Sequence, residues 1–215
     1  KIIIFLNNLF NKKLYNIIMV KILLASNSKI KENAIKKWFR IHFKDTELEL
    51  EKMIVDDTLV PPQPINSGGM FSCTDRINYV EKNNDISSFD YIISIESSLK
   101  IVNDEILDVV NICIKNCILE ANYQDSGQEI AINYKVMEEY PLFIKIVDDL
   151  YKNYEDTSKK YIYDGCELTL GKIINNYYPD ISKNNWMKVI CNKDRETQIF
   201  RVLQKFTTKL KTEII

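Results

Sequence analysis

Lys21-Ile-Leu-Leu-Ala-Ser-Asn-Ser-Lys-Ile-Lys-Glu-Asn-Ala-Ile-Lys-Lys-Trp-Phe39 decides the fold class, because an apolar run gives way to small polar residues and then to a helical pattern. Ile22 to Ala25 read as a buried strand, and Ile30, Ala34, Ile35, Trp38 and Phe39 recur at the spacing of one helix face. Ser26, Asn27 and Ser28 lie between the two, and any of them suits a helix N-cap. Lys29 and Lys31 are the unusual residues. Cations in a first turn oppose the helix dipole, whereas a bound phosphate reverses that sign and recruits the free N–H groups as well. The turn therefore reads either as an anion-holding site or as a stretch of solvated surface lysines in a lysine-rich chain. Neither the dinucleotide glycine fingerprint nor the Walker pattern is present.

Working outward, Glu47 to Val55 alternates and then turns apolar, which predicts a strand that ends at Asp56-Asp57. Val60-Pro-Pro-Gln-Pro64 and Asn66-Ser-Gly-Gly69 form a rigid loop ahead of a helix from Met70 to Lys82. Phe89 to Ile95 predicts a short strand that delivers Glu96-Ser97-Ser98 at its end. Ile106 to Leu119 supplies one or two nearly apolar strands, and Gly127 to Tyr134 another. Helices are expected over Pro141 to Tyr154, Lys172 to Tyr178 and Arg195 to Leu210, with a strand over Trp186 to Cys191. Strands and helices mixed in this order predict an α/β protein of three layers, α/β/α, with a central mixed sheet.

The 215-residue length suits a single domain, read as residues 19 to 215, with residues 1 to 18 as an extension ahead of Met19. Lys plus Arg number 29 against 30 Asp plus Glu, so the net charge of −1 supplies no field for non-specific nucleic-acid binding. Five scattered cysteines, Cys73, Cys113, Cys117, Cys166 and Cys191, read as reduced thiols in a cytoplasmic protein. His42 is the single histidine and falls on the basic first helix, which argues against Ser-His or Cys-His catalysis. No stretch approaches the roughly 18 apolar residues of a membrane span.

Three predicted strand ends carry polar chemistry: Ser26 to Lys31, Asp56-Asp57, and Glu96 to Ser98. Ligands of open α/β sheets bind at such ends, and a phosphate turn facing carboxylates is a layout for a magnesium–triphosphate ligand.

Ala25-Ser-Asn-Ser-Lys-Ile-Lys31, Val60-Pro-Pro-Gln-Pro64 with Ser67, and Phe89-Asp-Tyr-Ile-Ile-Ser-Ile-Glu96 resemble, in order and spacing, the non-canonical purine nucleoside triphosphate phosphatases of the inosine/xanthosine triphosphatase type. Weaker echoes are Gly165-Cys-Glu-Leu168 and Asp194-Arg195 with Gln198. The likeness spans about residues 20 to 205, most strongly in the first half. It implies an elongated α/β/α domain with a nucleotide cleft between two lobes, a homodimer, and hydrolysis of ITP and XTP with Mg²⁺ or Mn²⁺.

By that resemblance Ser26, Asn27 and Lys31 hold phosphates, and Glu96 binds metal or orients water. Arg195 and Gln198 help hold the nucleotide, and Asp57 is a second metal ligand. Four departures stand out. Gly68-Gly69 replace paired acids, and Arg76 in Cys73-Thr-Asp-Arg76 is a shifted substitute for the family's arginines. Ser97-Ser98 replace a Gly or Ala-Gly turn, and Ala131-Ile132-Asn133 replace an Arg-Ser pair. A site that has lost acids binds magnesium more weakly, so the same reading admits a nucleotide-binding protein without turnover.

Overall fold

A computed structural model describes residues 18–55, 62–102, 105–132, 165–166 and 169–214. Its elements are β1 (Ile18–Leu24), α1 (Lys29–His42), β2 (Thr46–Lys52), β3 (Gln63–Pro64), α2 (Gly68–Asn83), β4 (Tyr91–Val102), β5 (Glu105–Asn116), β6 (Ala121–Ser126), β7 (Ile130–Ala131), β8 (Gly165–Cys166), α3 (Leu170–Tyr177), α4 (Trp186–Cys191) and α5 (Arg195–Ile214). The main sheet runs β2-β1-β4-β5-β6, with β7 also on β5, and it stays open at its edges. β1 pairs in parallel with β2 and β4, and β4, β5 and β6 follow as an antiparallel meander. The sheet is therefore mixed, as the sequence predicts.

Side-chain alternation along the strands builds the layers. Val20, Ile22 and Leu24 of β1, Tyr91, Ile93 and Ile95 of β4, and Val110, Ile112 and Ile114 of β5 pack against Ala34, Ile35, Trp38 and Phe39 of α1 and Ile199, Val202, Leu203 and Phe206 of α5. The opposite face carries Leu23, Ala25, Ile92 and Cys113, covered by Cys73, Ile77 and Val80 of α2. Helices thus cover both faces, which makes three layers. A second apolar cluster gathers Ile65, Leu99, Ile106, Leu170, Ile173, Ile174, Trp186 and Met187 around the far end of the β4–β5 hairpin. It is the core of a smaller lobe built on α3 and α4.

Several sequence expectations change. Trp186 to Cys191 is a helix rather than a strand, because Trp186, Met187 and Ile190 turn together into the small-lobe core. β4 does not stop before Glu96 but continues to Val102, so Glu96-Ser97-Ser98 lies mid-strand, paired with Asn111, Val110 and Val109. Ile106 to Leu119 is one strand, β5, and within the Gly127 to Tyr134 range the described strand is β7, Ile130–Ala131. The Pro141 to Tyr154 helix lies outside the described residues.

Glu32 explains one of the two unusual first-turn lysines. Its carboxylate, 6% exposed, receives Lys29 at 3.1 Å, Lys36 at 2.6 Å and Lys52 at 2.9 Å. The hydrogen bonds from Lys36, Lys52 and Lys29 hold its pKa down at about 2, against an ordinary 4.5. A depressed carboxylate pKa contributes stability that is complete above about 4.5 and is lost as pH falls through about 2. Glu32→Gln therefore lowers the urea midpoint at pH 7, and its deficit against the wild type narrows on titration from pH 4.5 towards pH 2. A deficit independent of pH over that window contradicts the assignment.

Candidate active site

The cleft lies where the two lobes meet. Lys31, at the start of α1, places Nζ 3.2 Å from Oε1 of Glu96, and Arg76 of α2 places Nε 2.6 Å from the same oxygen. α1 and α2 cover opposite faces of the sheet, so Glu96 draws a cation from each layer. The second unusual lysine is thereby explained: it answers a carboxylate 65 residues away.

A hollow of about 340 Å³ opens over this pair, lined by Ser28, Lys31, Gln63, Glu96, Asp108, Thr169, Lys172, Lys183, Trp186 and Arg195 among others. That volume is in the range of small-ligand sites. Four helices begin on its wall: α1 after Ser28, α3 after Thr169, α4 at Trp186 and α5 at Arg195. Each longer helix start concentrates unpaired N–H groups and a partial positive charge, which favours an anion. Among the described residues Lys31, Lys172, Lys183 and Arg195 add formal charge of the same sign, against the carboxylates of Glu96 and Asp108. A larger hollow of about 790 Å³ lies beside Glu129, Cys191, Lys193 and Arg201, but it contains neither Lys31 nor Glu96. The chemistry favours the smaller one.

Local structure holds these groups in place. Gln63, 7% exposed, accepts the N–H of Leu170 on Oε1 at 3.1 Å, which ties the Pro-rich strap to the first residue of α3. Thr169 caps α3 by accepting the N–H of Lys172 at 3.2 Å. α3 approaches the stretch before α4 so closely that a Cβ on Gly171 would lie 2.5 Å from the Lys183 carbonyl oxygen and 2.9 Å from Trp186 Cδ1. Arg195 makes a two-pronged contact with Asp108, Nη1 to Oδ1 and Nη2 to Oδ2 at 2.8 Å, and Nη1 also donates to Gln198 Oε1 at 3.1 Å. Burial works against the charge on Arg195, but the Asp108 carboxylate outweighs it and holds the guanidinium pKa above its ordinary value.

The residues singled out from sequence are not all brought together. Lys31, Glu96 and Arg195 share the cleft wall. Ser26 uses its hydroxyl to accept the N–H of Ser28 at 3.2 Å, and it is Ser28 that reaches the lining. Asn27 and Arg76 are also off the lining, and Gln198 touches the cleft only through Arg195. Asp57 lies outside the described residues. His42 sits at the far end of α1 against Phe200, with ring centres 6.1 Å apart. Asp108, Lys172, Lys183 and Trp186 are cleft residues that the sequence did not single out.

Gly69 stands where the packing leaves no space for a side chain. A Cβ there would fall 2.4 Å from Ser98 Oγ and from Asn111 Nδ2, two groups already joined by a 2.8 Å hydrogen bond. Ser98 and Asn111 are 2% and 5% exposed, and the Asn111 side chain is held further by the hydroxyl of Ser126, which donates to its Oδ1 at 2.8 Å. Gly69→Ala is expected to destabilise by about 1–3 kcal/mol through overpacking, read from the urea midpoint. Gly69→Ala combined with Ser98→Gly should recover part of that loss, since Asn111 Nδ2 remains close; no recovery means that Ser98 is not what excludes a side chain.

No family model matches the chain, and no curated protein matches it. Among solved structures, the crystal structure of protein VC0702 from Vibrio cholerae aligns with a TM-score of 0.59 and 15% identity, over 86% of this chain and 92% of that one. Among the described residues no helix is long and apolar enough to cross a membrane, and no group of three or more His, Cys, Asp or Glu side chains gathers for a metal. At that level of identity the likeness to VC0702 is one of fold, extending over nearly the whole of both chains.

Proposed function

We propose that the cleft binds the triphosphate of a purine nucleoside triphosphate and that the chain hydrolyses non-canonical members of that class, ITP and XTP. The observation that supports the reading is the convergence of three longer helix starts, those of α1, α3 and α5, and of Lys31, Lys172, Lys183 and Arg195 on one hollow that also contains Glu96. The choice of inosine and xanthosine bases, a homodimer and a cytoplasmic location come with the sequence resemblance.

Magnesium in nucleotide sites is usually held by one or two carboxylates together with the ligand's own phosphates. Among the described residues of the cleft, Glu96 fits that role better than Asp108, because its side chain is 12% exposed against 3%. Once bound, magnesium would neutralise charge on the phosphates, and Mn²⁺ would serve the same purpose. Lys31 and the α1 start orient the phosphates, and Glu96 holds the attacking water for in-line displacement.

A second reading is nucleotide binding without turnover. It is favoured by the contacts of Lys31 and Arg76 with Glu96 Oε1 and by the packing that keeps Gly69 free of a side chain. Phosphate or pyrophosphate release from ITP, XTP, dITP and the ordinary triphosphates with Mg²⁺, beside thermal melts with each nucleotide, separates the two. Release above a Glu96→Gln control supports hydrolysis. Raised melting temperature without release supports binding alone, since a ligand selective for the native state raises apparent stability. Neither effect with any nucleotide removes both readings.

A further inference from the structure

The two carboxylates of the cleft are placed for different work. Asp108 is 2% exposed and lies on the α5 side of β5, where both its oxygens are taken by Arg195. A guanidinium has five N–H donors in a fixed fork. Among the described residues Asp108 takes two and Gln198 a third, which leaves one on Nε and one on Nη2. Arg195 lines the cleft beside Lys172 and Lys183. An arginine alone at a cleft rim spreads over many rotamers and loses that freedom on binding, whereas one already clamped does not.

We propose, resting on the phosphate reading of the cleft, that Asp108 is a positioning residue: its carboxylate clamps the Arg195 fork so that the two remaining N–H groups are presented to phosphoryl oxygens of the ligand. Charge alone makes the opposite prediction. A carboxylate beside an anion site repels the anion, so if Asp108 acted only through its field, removing it would tighten binding. Preorganisation and electrostatics thus differ in sign at this residue.

Inorganic tripolyphosphate, which carries the anionic part of the ligand without a base, is the probe, with affinity measured by calorimetry. Asp108→Asn keeps the size of the side chain but loses one acceptor and the charge. It is expected to weaken tripolyphosphate binding about tenfold or more, with partial recovery in Asp108→Glu. Arg195→Lys keeps the charge but loses the fork, and the Asp108→Asn/Arg195→Lys double variant should bind no worse than the weaker single one, because the two act as a unit. Near-UV circular dichroism confirms native packing. Should Asp108→Asn fail that check, Gln198→Ala, which removes the third contact, carries the test with an expected loss of about twofold to fivefold. Wild-type binding with equal or tighter binding by the variant that carries the test overturns the positioning role alone. Absence of wild-type tripolyphosphate binding overturns the phosphate reading and the clamp with it.

Discussion

Glu96→Gln is expected to lower kcat for ITP hydrolysis by about 10²–10⁴-fold, the span associated with losing a positioned proton acceptor, while leaving KM unchanged or lower. Glutamine keeps the shape of the side chain and one oxygen for Lys31 and Arg76, which stand 3.2 Å and 2.6 Å from Glu96 Oε1. What it loses is the negative charge that, on the proposed mechanism, would polarise water. Lys31, no longer neutralised, is freer to bind phosphate, so ground-state binding holds or improves while the chemical step slows. That split marks an interaction made in the transition state. A raised KM with kcat preserved would instead make Glu96 part of the scaffold. Steady-state kinetics across ITP concentration, with protein of confirmed native near-UV spectrum, decides the matter.

Trp38→Ala is expected to cost about 3–5 kcal/mol of folding stability, the largest single loss among the α1 substitutions. Trp38 is 1% exposed, edge-on to Phe39 and Phe43 at centroid distances of 6.3 Å and 5.2 Å, and its Nε1–H donates to Thr207 Oγ1 at 2.9 Å. Truncation opens a cavity between α1 and α5, unpairs the Thr207 hydroxyl and breaks the aromatic cluster at once. Trp38→Phe keeps most of the volume and should lose about 1–2 kcal/mol, by the transfer and cavity terms of smaller truncations. Urea unfolding gives both values; a loss below about 1 kcal/mol for alanine would mean that the α1–α5 seam closes over the gap.

The parts of the fold that were legible in sequence are those with a long period. α1 shows four turns of apolar recurrence and α5 more, and both appear within a few residues of their expected bounds. α4 has six residues, too few to display a helical period, and its Trp-Met-Lys-Val-Ile-Cys composition imitates a strand. The serines at Ser97-Ser98 read as the end of a strand, but Ser98 is a buried polar residue satisfied by Asn111, so β4 runs through it.

The site divides in the same way. Lys31 and Glu96 stand out in the sequence as a first-turn lysine and an acid after an apolar strand, and the fold brings them together across 65 residues. The Asp108–Arg195 pair spans 87 residues, and nothing local in β5 marks its aspartate. Lys172 and Lys183 stayed hidden in a lysine-rich chain, where only the fold shows which lysines face inward.

The β4–β5 hairpin, twelve residues in each strand, acts as a beam shared by two rooms. One end is built into the α1–α5 and α2 cores and the other into the small-lobe core, with Glu96 near its midpoint. Close-packed interiors transmit strain, so a disturbance of either core bends the member on which the carboxylate is mounted. Damage that looks remote from the cleft, at Ile106 or at Val20, is therefore carried to it, and the two lobes share one mechanical fate.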